Sequence, residues 1–126
     1  MNQKSLSYVT LYGPPNASVA VVTTGSAIDV GATYANVQRR EAKVLAQANF
    51  GSNTTSLSIQ IWECATTNGT YTTATNGALT AITTSGVFTA GHVTLSKRYV
   101  KAELTPAGTT AAVIAHVGIL LENRQT

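Results

Sequence analysis

The chain predicts an all-β fold, an antiparallel β-sandwich, jelly-roll-like, with seven to nine short strands. Three observations carry this. Apolar and polar residues alternate with period two through Ser56–Glu63, Arg98–Leu104 and Ala112–Leu121. Asn-Gly pairs at Asn68-Gly69 and Asn76-Gly77 supply residues that tolerate the positive φ of tight hairpin turns. Thr makes up 21 of the 126 residues, and a β-branched polar side chain suits the outer face of a pleated sheet.

Taken in order, Ser5–Leu11 alternates and is stopped by Gly13-Pro14-Pro15-Asn16, since proline cannot donate to a ladder. Ala17–Thr23 reads as a second strand, Thr24-Gly25-Ser26 as a turn, and Ala27–Val30 as a short third strand ended by Gly31. Ala32–Ala48 has two readings. Tyr34, Val37, Glu41, Val44, Leu45 and Ala48 sit near helical spacing, whereas Val44, Ala46, Ala48 and Phe50 alternate. The expectation is a loop to about Arg40 and then a strand.

Gly51-Ser52-Asn53 turns into Ser56–Glu63, and Asn68-Gly69 turns into Tyr71–Thr75, with Asn76-Gly77 as a second turn. Leu79–Ile82 and Val87–Thr89 follow, separated by a turn at Ser85-Gly86, and Gly91–Lys97 is less regular. Arg98–Leu104 alternates, Pro106-Ala107-Gly108 turns, and Ala112–Leu121 closes the chain. The three central strands are Ser56–Glu63, Arg98–Leu104 and Ala112–Leu121. Their expected core is Leu57, Ile59, Ile61, Val100, Ala102, Leu104, Val113, Val117 and Ile119.

The length suits one domain, residues 1–126, large enough to bury a core without disulfides or metal. Residues 1–8 are a candidate N-terminal arm. Only 10% of residues are charged, against about 25% in an average soluble protein. The apolar content of 44% sets the chain apart from a disordered one. A net charge of +3 is too small an excess for the concentrated basic stripe that nucleic acid requires. No run approaches the roughly 18 apolar residues of a membrane span, and the start of the chain lacks the apolar segment of a signal peptide. With Cys64 as the one cysteine, no internal disulfide is possible, and folding in a reducing cytoplasm is expected.

No catalytic, cofactor-binding or metal-binding residue is expected, and the chain does not read as an enzyme. The five carboxylates, Asp29, Glu41, Glu63, Glu103 and Glu122, form no paired motif. His92 and His116 are far apart, with no metal-ligand spacing around them. Cys64 at a strand end reads as a small buried hydrophobe. Trp62, Tyr71 and Tyr99 have two readings: an exposed row that stacks sugar rings, or ordinary packing. The basic residues fall in two clusters, Arg39-Arg40 with Lys43 and Lys97-Arg98 with Lys101, and of these Arg39, Arg40, Lys97, Arg98 and Lys101 are the candidate contacts to an acidic partner.

Four segments carry a resemblance: Asn49–Ser52, Ser56–Cys64, Asn68–Thr72 and Lys97–Leu104, with a strand ending in Trp62-Glu63-Cys64, a Gly69-Thr70-Tyr71 hairpin and an Arg98-Tyr99-Val100 strand. Over roughly residues 43–122 the chain resembles the capsid decoration, or cement, proteins of tailed bacteriophages. The resemblance implies a jelly-roll-like body that assembles as a dimer or trimer and clamps neighbouring subunits of the major capsid protein from outside. It implies a place on the virion's capsid surface after assembly in the host cytoplasm. No individual binding residue transfers, because such proteins bind through whole surfaces. The same composition fits a carbohydrate-binding module or a tail or fibre β-sandwich module, and these are the alternatives. The uncharged, proline-free strands Ser5–Leu11, Ala17–Thr23 and Tyr71–Thr75 are candidate sheet edges for covering by a second copy.

Overall fold

A computed structural model describes residues 3–13, 18–30, 40–109 and 112–125. Ten antiparallel strands form two facing layers. These are β1 (Gln3–Tyr12), β2 (Ser18–Val19), β3 (Thr23–Thr24), β4 (Ile28–Asp29), β5 (Arg40–Phe50), β6 (Thr54–Cys64), β7 (Thr72–Ala78), β8 (Gly86–Leu95), β9 (Tyr99–Gly108) and β10 (Val113–Gln125). The first layer runs β1-β10-β5-β8, and the second runs β7-β6-β9-β3, with β4 also on β9. One bridge, Thr75 to Thr94, joins β7 to β8 and makes the two layers a single curled sheet.

With β2 counted as the end of the first layer's edge and β3 and β4 together as one strand of the second layer, the chain changes layer at each connection except β6 to β7. This is the double-sheet winding of a jelly roll. The all-β antiparallel expectation holds. Seven strands have at least seven residues, and most are longer than expected.

Period-two alternation accounts for the core. On β6, Leu57, Ile59 and Ile61 point inward, and on β9 Val100, Ala102 and Leu104 meet them from the paired strand. From the other layer come Val44, Ala46 and Ala48 of β5, Val93 and Leu95 of β8, and Val113, Ala115, Val117, Ile119 and Leu121 of β10. All nine residues expected in the core are buried. Burying each large aliphatic side chain stabilises by about 1.5–3 kcal/mol relative to exposure, so these faces dominate the fold.

Several local expectations are corrected. Ala17–Thr23 is not one strand. Ser18–Val19 pairs with β10 and Thr23–Thr24 with β9, so the segment leaves one layer for the other, and Thr24 is strand rather than turn. At the crossing, Val21 and Val22 are 70% and 56% exposed. Asn76-Gly77 is no hairpin turn either. It lies inside β7, where Gln60 and Trp62 of β6 face Ala78 and Thr73, so that residues 74–77 bulge out opposite Ile61, with Asn76 at φ 63°. The positive φ that favours Asn-Gly in a turn equally favours it in a bulge.

Pro106-Ala107-Gly108 continues β9, with partners Leu57, Ser56 and Thr54. Beyond Leu104 no described strand lies on the other side of β9, so the missing proline N–H costs no ladder bond there. Leu79–Ile82 follows β6 through single contacts, Leu79 N–H to the Ile59 carbonyl and a bridge of Ile82 to Leu57. β8 extends through the stretch that looked irregular, up to Leu95.

The strand expected after about Arg40 begins at Arg40, while residues 31–39 lie outside the described ones. Residues 3–8 of the N-terminal segment are paired with 120–125 of β10. Across that ladder Tyr8 leans along β10 over Gly118, where a Cβ would stand 2.2 Å from the tyrosine oxygen, and stacks on His116 at 6.3 Å between ring centroids.

Two glycine substitutions separate tight backbone packing from a movable neighbour. A Cβ on Gly77 would meet the Ile61 and Ala74 carbonyl oxygens at 2.6 and 2.9 Å, and neither can step aside. Gly77→Ala is expected to cost about 1–3 kcal/mol in urea unfolding. Gly118→Ala meets only the half-exposed Tyr8 ring and should cost far less while releasing Tyr8 from His116.

Candidate protein-docking face

The parity that turns Leu57, Ile59 and Ile61 inward turns Ser58, Gln60 and Trp62 outward. On β9 the outward set is Tyr99, Lys101, Glu103 and Thr105. Register then places Trp62 beside Lys101 and Gln60 beside Glu103, with Thr73 of β7 on the far side of Trp62. The Gln60 amide donates to the Thr73 hydroxyl at 2.6 Å.

Tyr71 reaches this face from the β6–β7 connection. Its hydroxyl donates to the Thr67 carbonyl at 3.2 Å, and the Lys101 ammonium sits 4.0 Å from its ring centroid. Burial pushes the Tyr71 phenol above its ordinary value, reinforced by Cys64 and Tyr99. The ring is therefore neutral at physiological pH, and its contact with Lys101 is a cation–π interaction rather than an ion pair. A second cation–aromatic contact lies at the start of β9, where the Arg98 guanidinium sits 5.2 Å from the Tyr99 ring. Arg98 also donates to both carboxylate oxygens of Asp29 on β4, at 3.0 and 2.7 Å, and this bidentate pairing raises its pKa further. The indole N–H of Trp62 is buried and has no hydrogen-bond partner.

Glu63 holds the turn that carries the cations. It follows Ile61 on the inward side of β6 and is 5% exposed. Its carboxylate accepts from the Ser96 N–H at 2.9 Å and the Ser96 hydroxyl at 3.1 Å. That ties the β8–β9 connection, with Lys97 and Arg98, to the end of β6. Lys97 reaches back toward the Thr72 hydroxyl at 3.5 Å. Cys64 is buried, and the Thr66 backbone holds its thiol below the ordinary value against the effect of burial.

Three of the five expected contact residues, Lys97, Arg98 and Lys101, thus come together at one end of the second layer. Arg39 lies outside the described residues. Arg40 opens β5 in the other layer, paired with Leu95. Sequence reasoning missed Asp29, Glu63 and Ser96 as organising residues. The visible signal for Glu63 was its place in the inward series Leu57, Ile59, Ile61, Glu63, where a carboxylate needs a partner. The described residues contain no group of three or more His, Cys, Asp or Glu that could hold a metal ion. Among the described residues no helix is long and apolar enough to cross a membrane.

The outer face of the first layer differs in kind. Among the described residues, the exposed large apolar ones are Tyr8, Val87 and Ile114 on its strands and Val21 and Val22 at the crossing. None lies on the outer face of the second layer.

No family model and no curated protein matches the chain. Among solved structures, the SPBc2 prophage-derived protein YomS aligns with a TM-score of 0.46 at 15% identity, over 94% of this chain and 95% of that one. A TM-score below one half does not establish a shared fold.

The Glu63 arrangement predicts that Glu63→Ala, which leaves the Ser96 N–H without its acceptor, costs about 1–3 kcal/mol in chemical unfolding. Glu63→Gln keeps one acceptor oxygen and should cost clearly less.

Proposed function

We propose that the protein is a non-catalytic structural component of a tailed-phage particle. In this reading it is a capsid decoration protein that binds the capsid exterior and stabilises the head. The observation that carries this reading is the outer face of the second layer. There Lys101 and Arg98 cap Tyr71 and Tyr99, and Trp62 lies alongside on β6. Trp, Tyr and Arg are the residue types that dominate binding energy between proteins. The residue pattern of the four segments that resemble decoration proteins supports the same reading, since 56–64, 68–72 and 97–104 supply most of this face.

The partner's surface is acidic in this account. Lys97, Arg98 and Lys101 gather at one end, against Asp29, which Arg98 already engages, and Glu103 further along β9. The partner is the major capsid protein, met in the host cytoplasm during assembly and retained on the virion. A sugar-stacking platform fits less well, because a cation lies over Tyr71 and another over Tyr99.

The test is co-sedimentation with capsid shells that lack the protein. Lys97→Glu combined with Lys101→Glu should weaken binding at least tenfold with the fold intact, and wild-type binding should fall with rising salt, as exposed charge pairs do. Unchanged binding by the double variant removes the docking face from the account. Retention on glycans that is lost in Tyr71→Ala would replace the capsid reading with the carbohydrate one.

A further inference from the structure

We propose that β1 is a dimerisation edge, pairing antiparallel with β1 of a second copy so that the first layer continues across the twofold axis. This inference concerns the opposite layer from the docking face and does not depend on what that face binds. β1 ends the first layer and pairs with β10 from Gln3↔Gln125 to Tyr12↔Val117. In an antiparallel pair, alternate residues turn both N–H and C=O away from the partner strand. Along ten residues that leaves several donors and acceptors on the outer edge, and no described strand pairs with them.

Among the described residues this edge is covered at one end only. The register shifts between Thr10 and Tyr12, and the Leu11 carbonyl lies where a Cβ on Gly25 would stand 2.5 Å from it. From Gln3 to Thr10 none of the features that block strand addition is found: no proline, no bulge, and one charge in the sequence, Lys4.

An extended edge of this kind is completed by another extended strand, and the strand of matching length and spacing is β1 itself. A twofold contact uses the same patch on both copies. Centring it on Ser7 pairs Ser7 with Ser7, Leu6 with Tyr8, Ser5 with Val9 and Lys4 with Thr10. Residues pair with partners of equal parity, so the outward side, where Tyr8 is half exposed, stays outward and that of buried Leu11 stays inward. The two Lys4 residues lie at opposite ends of the paired segment rather than opposite each other.

Light scattering coupled to size exclusion on the full chain at micromolar concentration should give twice the 13.1 kDa chain mass. In a Cys64→Ser background, Ser7→Cys should close an intermolecular disulfide on mild oxidation, because residues paired across strands lie within disulfide reach. Leu6→Lys adds charge on both sides of the axis and should weaken the dimer at least tenfold while leaving the thermal midpoint of the isolated chain nearly unchanged. A monomer at 100 μM overturns the proposal. So does a dimer in which none of Ser5→Cys, Leu6→Cys and Ser7→Cys cross-links.

Discussion

The register of β6 on β9 is the constraint on which the rest depends. Ten residues of β6, from Thr54 to Cys64, have partners on β9. Side chains in a strand alternate between faces, so a slip of one residue would exchange the two faces completely. In the observed register Leu57, Ile59, Ile61, Val100, Ala102 and Leu104 are buried, and the burial of six aliphatic or small side chains is what a slip would forfeit. The same register puts Trp62 beside Lys101 on the outside. Core and candidate docking face are two sides of one ladder, and the energetics of the first hold the geometry of the second.

Contacts made between layers and across connections finish what the ladder begins. Glu63 clamps Ser96, which sets where Lys97 and Arg98 stand. Asp29 on β4 then orients Arg98 with two hydrogen bonds. This ion pair is largely exposed and adds little to stability, since such pairs contribute about 0–1 kcal/mol. Its effect is positional: it holds the guanidinium over the Tyr99 ring. At the other end, Thr54 accepts from the Ala112 N–H and donates to the Ala112 carbonyl, tying the start of β6 to the β9–β10 connection. The ladder is thus fastened at both ends by side chains of β6 itself.

The core was legible in the sequence because period-two alternation directly encodes which side of a strand is buried. Strand identity at Ser56–Glu63, Arg98–Leu104 and Ala112–Leu121 followed from the same signal. What stayed hidden were features whose local chemistry has two structural solutions. Asn76-Gly77 meets the backbone demand of a turn and of a bulge alike, and only the partner strand decides between them. Ala17–Thr23 reads as a continuous strand because its residues suit one, yet its two ends find partners in different layers. On the docking face, Lys97, Arg98 and Lys101 were visible as a basic cluster. That Lys101 sits on Tyr71 and Arg98 between Tyr99 and Asp29 depends on contacts across connections of up to 69 residues, which periodicity does not report.

The outer face of the second layer sets cations over aromatic rings, whereas that of the first carries Tyr8, Val87 and Ile114 among exposed Glu41, Lys43 and Gln47. Fold alone does not choose a function, because jelly rolls serve many. The functional account therefore stands on the second layer's face. Hydroxyl-radical footprinting of the protein free and bound to capsid shells, read by mass spectrometry, tests it directly. The account predicts that Trp62, Tyr71 and Tyr99 lose reactivity on binding while Val87 and Ile114 keep theirs. Protection of Val87 and Ile114 with Tyr71 and Tyr99 still reactive would contradict it.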